Sequence, residues 1–156
     1  MAAMTVRLTV EAPARGAVPR ADVLRRARAM LEALSLQGRE LSIVLTGDER
    51  IQELNRAYRD QDKPTDVLAF SQLEGELADG ASALLGDVIV SVPTALHQAR
   101  SRKVDLTSEL TMLLAHGLLH LVGWDHDTPA KDRKMRRETA RLCAYASRAS
   151  ARAKRK

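Results

Sequence analysis

A chain of 156 residues with 45% hydrophobic side chains is long enough to bury one core and too short for two domains of ordinary size. Its one cysteine, Cys143, excludes an internal disulfide, and its short apolar runs indicate neither a membrane span nor a secretory leader. We therefore expect a single domain over residues 1–147 in a cytoplasmic protein that does not contact membranes.

The net charge of +5 is unevenly distributed along the chain. Residues 148–156 contain five cations and no acid, so the preceding 147 residues are formally neutral. A run of like charges at a chain end is usually solvated, and we predict a basic, disordered tail that adds nonspecific attraction to phosphates. The five cations are Arg148, Arg152, Lys154, Arg155 and Lys156.

The first sixty residues predict two strands and two helices. Apolar and polar residues alternate in "TVRLTV", which is typical of a half-buried strand, and "ELSIVLTG" predicts a second strand. Between them, apolar residues recur at helical spacing from Pro19, and Gly38 lies just past the end of this helix. Asp48 is expected to cap the next helix, which should end near Arg59.

The remainder of the chain predicts two strands and three helices. "DQDKPTD" has the composition of a loop, and the strands "TDVLAF" and "LGDVIVSV" flank the acidic connection "EGELADG". The second strand is apolar enough for a central position. Helices follow in "TALHQARSR", from about Leu106, and in "PAKDRKMRRETARLCAYASR". The order βαβαββααα predicts an α+β fold, a small mixed four-stranded sheet covered by about five helices.

Three of the four histidines lie within "HGLLHLVGWDH", residues 116–126. His116 and His120 are four residues apart on the apolar helix, so both imidazoles lie on one face, and Gly123 allows His126 to return toward them. A lone histidine on an apolar face is more often a hydrogen-bonded core residue, but two buried imidazoles both need polar partners. The spacing therefore predicts one zinc ion per chain, with a fourth position open to water. His97 lies outside this pattern and is expected on the surface.

The spacing matches that of the metzincin proteases at the histidines and the glycine, but Gly117 stands where those enzymes have a catalytic glutamate. Asp125 and Asp127 lie nearby in sequence, and Glu109 precedes His116 by two helical turns. Each is a candidate proton acceptor, and each is equally a candidate for orienting a histidine.

With the histidines placed, "HGLLHLVGWDH" resembles the signature of the YbeY family of single-strand-specific endoribonucleases. "LNRAYRDQDKPTDVLAF", residues 54–70, resembles the second signature of that family, and "LGDVIVSV" resembles the strand that follows. The resemblance covers roughly residues 40–146. Trp124 stands where tyrosine is usual in the family and Ala69 where serine is common, and neither position is a ligand.

The resemblance implies the zinc ligands His116, His120 and His126, and it places the family's functionally important arginine at Arg59. It implies a zinc-dependent endoribonuclease in 16S rRNA 3′-end maturation and ribosome quality control. The implied partners are single-stranded RNA, ribosomal RNA or ribosomal subunits, without DNA specificity.

The residues themselves are consistent with phosphate chemistry. The planar guanidinium of Arg59 suits a phosphate, although a solvated arginine at a helix end is the alternative. Lys63, Asp66 and Asp87 are weaker candidates for the same cleft. Aromatic residues at 3% predict no base-stacking platform, and Trp124 is expected to be a core residue.

Two further functions stay open at this point. One is a metal-dependent hydrolase of another substrate, such as a peptide or amide, which Gly117 disfavours. The other is a ribosome-associated binding factor in which the metal is structural.

Overall fold

The computed structural model describes residues 5–16, 18–72 and 84–155. Within these ranges the chain forms four strands, five α-helices and one 3-10 turn at Ala12–Ala14. The predicted acidic connection "EGELADG" lies outside the described residues. In chain order the elements are β1 Thr5–Val10, α1 Arg20–Ala33, β2 Glu40–Thr46, α2 Asp48–Arg59, β3 Val67–Ser71, β4 Leu84–Ser91, α3 Val92–Arg102, α4 Leu106–Leu121 and α5 Pro129–Lys154.

The four strands form one mixed sheet in the order β1-β2-β4-β3. The pairs β1–β2 and β2–β4 are parallel, whereas β3 is antiparallel to β4 and places Val67 opposite Val90. The predicted α+β fold with a mixed four-stranded sheet is confirmed. The apolar sequence of β4 correctly predicted a central strand. This strand is buried because another strand pairs with each of its edges and because both of its faces are covered.

The two faces of the sheet are covered by different helices. Side chains of a strand alternate between faces, so Val88 and Val90 of β4 join the main core while Ile89 lies on the other side. There Ile89 packs with Ile51 of α2 and Leu68 of β3 in a smaller cluster. The sheet thus separates α2 from the main core.

Helix α4 is the central helix of the main core. The sheet, α1, α3 and α5 all contact it, which explains why its sequence has almost no polar face. Leu110, Leu113, Leu118 and Leu119 are at most 2% exposed. The positions that are only half-buried include Met112, His116 and His120. These three residues lie on one stripe of α4, which lines a cavity at the surface.

Asp48 does not cap α2 in the predicted way. Gly47 is the N-cap residue and Asp48 is the first helical residue. The Asp48 carboxylate instead accepts hydrogen bonds from the Ser91 hydroxyl and, at 2.5 Å, from Oγ1 of Thr94. Asp48 therefore joins the start of α2 to the start of α3, a contact between residues more than forty positions apart.

The prediction of a disordered tail from residue 148 is wrong, because α5 continues to Lys154. Ala146 and Ser150 are buried one turn apart, so small residues between the cations continue the helical face that packs on α1. The Ser150 hydroxyl donates to the Asp22 carboxylate, and Nζ of Lys154 lies 3.6 Å from that carboxylate. Arg148 and Arg152 are exposed on the same helix.

The described helices include none with the length and apolar character needed to cross a membrane.

Candidate metal centre

Helix α4 places two histidines one turn apart. The helix begins after Asp105, whose carboxylate accepts a 2.7 Å hydrogen bond from the backbone N–H of Ser108 and so caps it. Nε2 of His116 lies 3.1 Å from Nε2 of His120, and both rings are half-buried. The i, i+4 spacing thus directs both imidazoles toward the same point.

A glycine at the end of α4 brings the third histidine back. Gly123 has a φ of +97°, which a residue with a Cβ adopts at a cost. Its N–H donates to the carbonyl of His120, and the N–H of Trp124 donates to the carbonyl of Leu119, the paired bonds of a Schellman motif. The chain then reverses, and Oδ1 of Asp125 accepts a 2.8 Å bond from the backbone N–H of His126.

His116, His120 and His126 together form a group of suitable metal ligands. One ring nitrogen from each lies within 4.8 Å of the others. Two ligands about 2.0–2.1 Å from one ion in a tetrahedral site are about 3.4 Å apart, close to the 3.1 Å between His116 and His120. Imidazole donors suit zinc, copper, iron and nickel. The three histidines could therefore hold one transition-metal ion.

The environment keeps the two histidines of α4 neutral. Burial lowers the pKa of His116, and the neighbouring His120 and His126 lower it further, while Asp66 acts in the opposite direction. Burial also lowers the pKa of His120, with contributions from His126 and Arg59. A neutral imidazole has the free lone pair that a metal requires, so the site is prepared for ligation near neutral pH.

A cavity of about 840 Å³ opens over the histidines, and we call it the β3 cavity. Its walls include the three histidines, the strand β3, and Arg59 at the end of α2. Helix α2 ends there because Asp60 adopts the left-handed conformation, with a φ of 55°. The structure therefore brings Arg59 and the histidine cluster, which are separated by more than fifty residues, to one cleft.

The guanidinium of Arg59 is held against β3. Its Nη2 donates a 2.7 Å hydrogen bond to the carbonyl of Ala69, and its Cζ lies 5.4 Å from the ring centroid of Phe70. Because one hydrogen bond engages only one of five N–H donors, most of the fork is available to a ligand. The charge of Arg59 also contributes to the lowered pKa of His120.

An aromatic pair beside Arg59 was not anticipated from composition. The rings of Tyr58 and Phe70 meet edge to face with 5.4 Å between centroids, and Tyr58 is 69% exposed. Low aromatic content predicted no stacking platform, but composition says nothing about where the few rings lie. The sequence signal was Tyr58 itself, which directly precedes Arg59 in the chain.

Of the carboxylates considered as proton acceptors, Asp125 and Asp127 have close partners, whereas Oε2 of Glu109 is buried without a hydrogen-bond partner among the described residues. Oδ1 of Asp125 caps the backbone of His126, and Asp127 pairs with Lys131 at 3.3 Å. Glu109 is only 2% exposed, and its Oε1 lies 3.9 Å from Nη1 of Arg102. None of these three carboxylates is among the described residues that line the β3 cavity.

The weaker candidates occupy different places. Asp66 lines the β3 cavity, and its carboxylate accepts hydrogen bonds from the Val67 N–H at 2.8 Å and from Gln98 at 3.2 Å. Lys63 is exposed and contributes its backbone carbonyl as an acceptor for the side chain of Asn55. Asp87 lies in β4 opposite Phe70.

Two other expectations concerned residues outside the ligand set. Trp124 packs against the main core, as expected, and Nζ of Lys134 lies 5.6 Å from its ring centroid. His97 is exposed on α3, also as expected.

Comparisons with known proteins identify the family of the chain. The family model described as Endoribonuclease YbeY matches residues 17–146. A protein of an Anaeromyxobacter strain named Endoribonuclease YbeY is 47% identical over 139 residues, covering 89% of this chain and 70% of its own. A Synechocystis protein of the same name is 50% identical over 109 residues, 66% of this chain and 61% of its own. A solution structure from Thermotoga maritima shares 25% identity at a TM-score of 0.61, covering 91% of this chain and 89% of its own.

Proposed function

Since the chain belongs to the endoribonuclease YbeY family, we propose that it is a metal-dependent enzyme that cuts single-stranded RNA internally. The observation that carries this proposal is the β3 cavity, which is lined by three histidines with ligand spacing and by Arg59. A set of metal ligands and a guanidinium with available N–H donors, both in one cavity, are the combination expected for chemistry on a phosphodiester.

The three histidines would hold the ion, and we propose zinc, one per chain. Such an ion would supply Lewis-acid chemistry, polarising a phosphoryl oxygen and lowering the pKa of water toward about 7. His116 and His120 remain neutral in this role because burial lowers the pKa of each ring. Nε2 of His120 lies 3.1 Å from Nε2 of His116, so the two rings direct these nitrogens to the same point.

Arg59 is proposed to bind the scissile phosphate. Its bond to the Ala69 carbonyl and its position over Phe70 fix the guanidinium plane before the substrate arrives. A fixed cation that faces a phosphate stabilises the charge that develops during transfer without reorganising at that moment. Because two parallel N–H donors match two phosphate oxygens, we expect lysine to be a poor substitute.

We propose ribosomal RNA as the substrate and 16S rRNA 3′-end maturation in the cytoplasm, with ribosome quality control, as the process. Single-stranded segments can enter the β3 cavity with their bases unpaired, whereas a duplex presents its backbone on a wide cylinder. We expect no DNA specificity.

A metal-dependent peptide or amide hydrolase is the second candidate, favoured only by the histidine spacing. Its proton-transferring glutamate is absent, because the corresponding residue is Gly117. A third candidate is a ribosome-associated binding factor in which the metal only fixes the turn after α4.

The deciding experiment combines metal analysis and RNA cleavage on one purified sample. We expect about one zinc ion per chain and internal cuts in single-stranded RNA. A variant with alanine at all three histidines should lack both zinc and cleavage. Cleavage by that variant would refute the proposal, and zinc without cleavage of any single-stranded RNA would favour the binding factor.

A further inference from the structure

A second cavity adjoins the histidine cluster on the side of α5. It measures about 520 Å³, lies between α4 and α5, and we call it the α5 cavity. Its lining and that of the β3 cavity have four residues in common: Arg102, Met112, His116 and His126. His116 and His126 therefore lie where the two cavities meet, and a ligand that occupies both must pass the candidate metal centre.

The walls of the α5 cavity combine an apolar surface with one unsatisfied hydroxyl. Met112 and Met135 provide flexible, polarisable side chains that pack well against an aromatic ring. Thr139 is 9% exposed, and its Oγ1 is buried without a hydrogen-bond partner among the described residues. A buried hydroxyl without a partner is costly, so a ligand that offers a donor or acceptor there forms a favourable hydrogen bond.

A cation stands at the junction of the two cavities. Arg102 is 58% exposed, and its Nη1 is 3.9 Å from Glu109, a distance too long for a hydrogen bond. The guanidinium is therefore drawn toward α4 by a buried carboxylate while its N–H donors stay available. The other charges in the α5 cavity are Asp132 and Arg136, which neutralise each other across 2.9 Å. Arg102 is thus the cation available to a ligand anion.

We propose that the α5 cavity is a nucleotide subsite for the residue next to the cleaved phosphodiester, on the side away from Arg59. The base lies against Met112 and Met135, Thr139 hydrogen-bonds to the base or ribose, and Arg102 contacts the flanking phosphate. The volume is within the range of sites for small organic ligands. This proposal rests on the proposed RNA substrate, and it explains internal cleavage, since an internal cut needs the strand to continue on both sides of the centre.

Thr139→Val is the sharpest variant because it keeps the shape of the side chain and removes only the hydroxyl. Loss of an unsatisfied buried hydroxyl should leave the thermal midpoint of unfolding unchanged or higher. If the hydroxyl binds RNA, affinity should fall about two- to tenfold, the usual effect of one neutral hydrogen bond. Arg102→Gln should weaken binding further, and Arg100→Gln, in the same turn of α3 and outside both linings, is its matched control.

The direct readout is NMR of ¹³C-methyl methionine in the zinc-loaded protein. The probe is a short oligouridylate with phosphorothioate linkages, which slow cleavage. We expect the Met135 methyl signal to shift on binding while the signal of Met30, buried in the core, stays in place. A shift at Met112 without one at Met135 would overturn the subsite, as would unchanged affinity in Thr139→Val, while leaving the nuclease function intact. A protein that neither binds nor cleaves RNA would overturn both proposals.

Discussion

Gly117 of α4 packs directly on Val88 of β4, so closely that a Cβ built at Gly117 would lie 2.7 Å from Cγ1 of Val88. Real Cβ atoms essentially never approach a neighbour to this distance. The second nearest side chain, Val67 of β3, would be 3.4 Å away. The space that a glutamate side chain would need at this position, as in zinc proteases, is therefore filled by the sheet. This explains in steric terms why a glycine follows the first of the two histidines.

Substitution of Gly117 should therefore lower stability. Gly117→Ala forces α4 and β4 apart, and overpacking of this kind costs about 1–3 kcal/mol, which outweighs the gain in helix propensity. Gly117→Glu should cost more, since it also buries a carboxylate. Chemical denaturation measures the loss, with Ala144→Glu at a more accessible position of α5 as the control. Stability equal to wild type in Gly117→Ala would show that the packing is looser than described.

His116→Ala and His120→Ala should abolish zinc binding and keep the fold, because both rings are only half-buried and line the β3 cavity. Each variant removes one of three ligands, and two remaining imidazoles hold the ion far more weakly. Metal content per chain and far-UV circular dichroism test the two halves of this prediction. His97→Ala, on exposed α3, should keep its zinc. Full zinc content in His120→Ala would exclude this ligand set.

Arg59→Ala should keep zinc and the fold but lose RNA cleavage, because Arg59 contacts β3 and not a ligand. Removal of one fixed hydrogen-bond donor to a developing anion typically lowers kcat by a factor of about 10²–10³. Arg59→Lys should recover only part of this loss. Arg56→Ala removes an equal charge one turn earlier in α2 and should cleave normally. A wild-type rate in Arg59→Ala would refute the assigned role.

Asp22 should make the stability of the protein depend on pH in the acid range. Burial alone would raise its pKa, but the hydrogen bond from Ser150 and the charges of Arg26 and Lys154 outweigh burial and lower the pKa below its ordinary 3.8. A carboxylate with a lowered folded pKa stabilises the fold above 3.8, and the contribution is lost as pH falls through the folded value. In Asp22→Asn the denaturation midpoint should therefore depend less steeply on pH between neutral and strongly acid conditions. An equally steep profile in the variant would assign the pH dependence elsewhere.

The basic end of α5 should contribute charge and stability through different residues. Arg148→Gln with Arg152→Gln removes exposed cations and should reduce the salt dependence of RNA binding by roughly 0.7 log units for each phosphate that these arginines neutralise. Truncation after Ser147 should instead lower the unfolding midpoint, because Asp22 would no longer pair with Ser150 and Lys154. An unchanged salt slope in the double variant would assign RNA contacts to other basic residues.

The local patterns predicted the elements and the histidine geometry because both depend on residues close in sequence. The i, i+4 spacing of His116 and His120 fixes their relative position on any helix. The α5 cavity depends on how α4 and α5 pack together, and the pairing of Tyr58 with Phe70 depends on how α2 packs beside β3. No short stretch of sequence encodes such packing. The helical end of α5 escaped prediction for the same reason, since Asp22, the partner of Ser150, lies 128 positions away.

The contact between α1 and α5 can form only late in translation, because the residues that it joins are far apart in sequence. Asp22 and Glu32 emerge early, whereas their partners Ser150 and Tyr145 are 128 and 113 positions downstream. At about 5–20 residues per second, α1 waits roughly 6–26 s for the helix that covers it. The histidines are translated within that interval, on a helix whose packing partner α5 is still being made. Helix α4 can therefore complete its packing only after α5 has been translated.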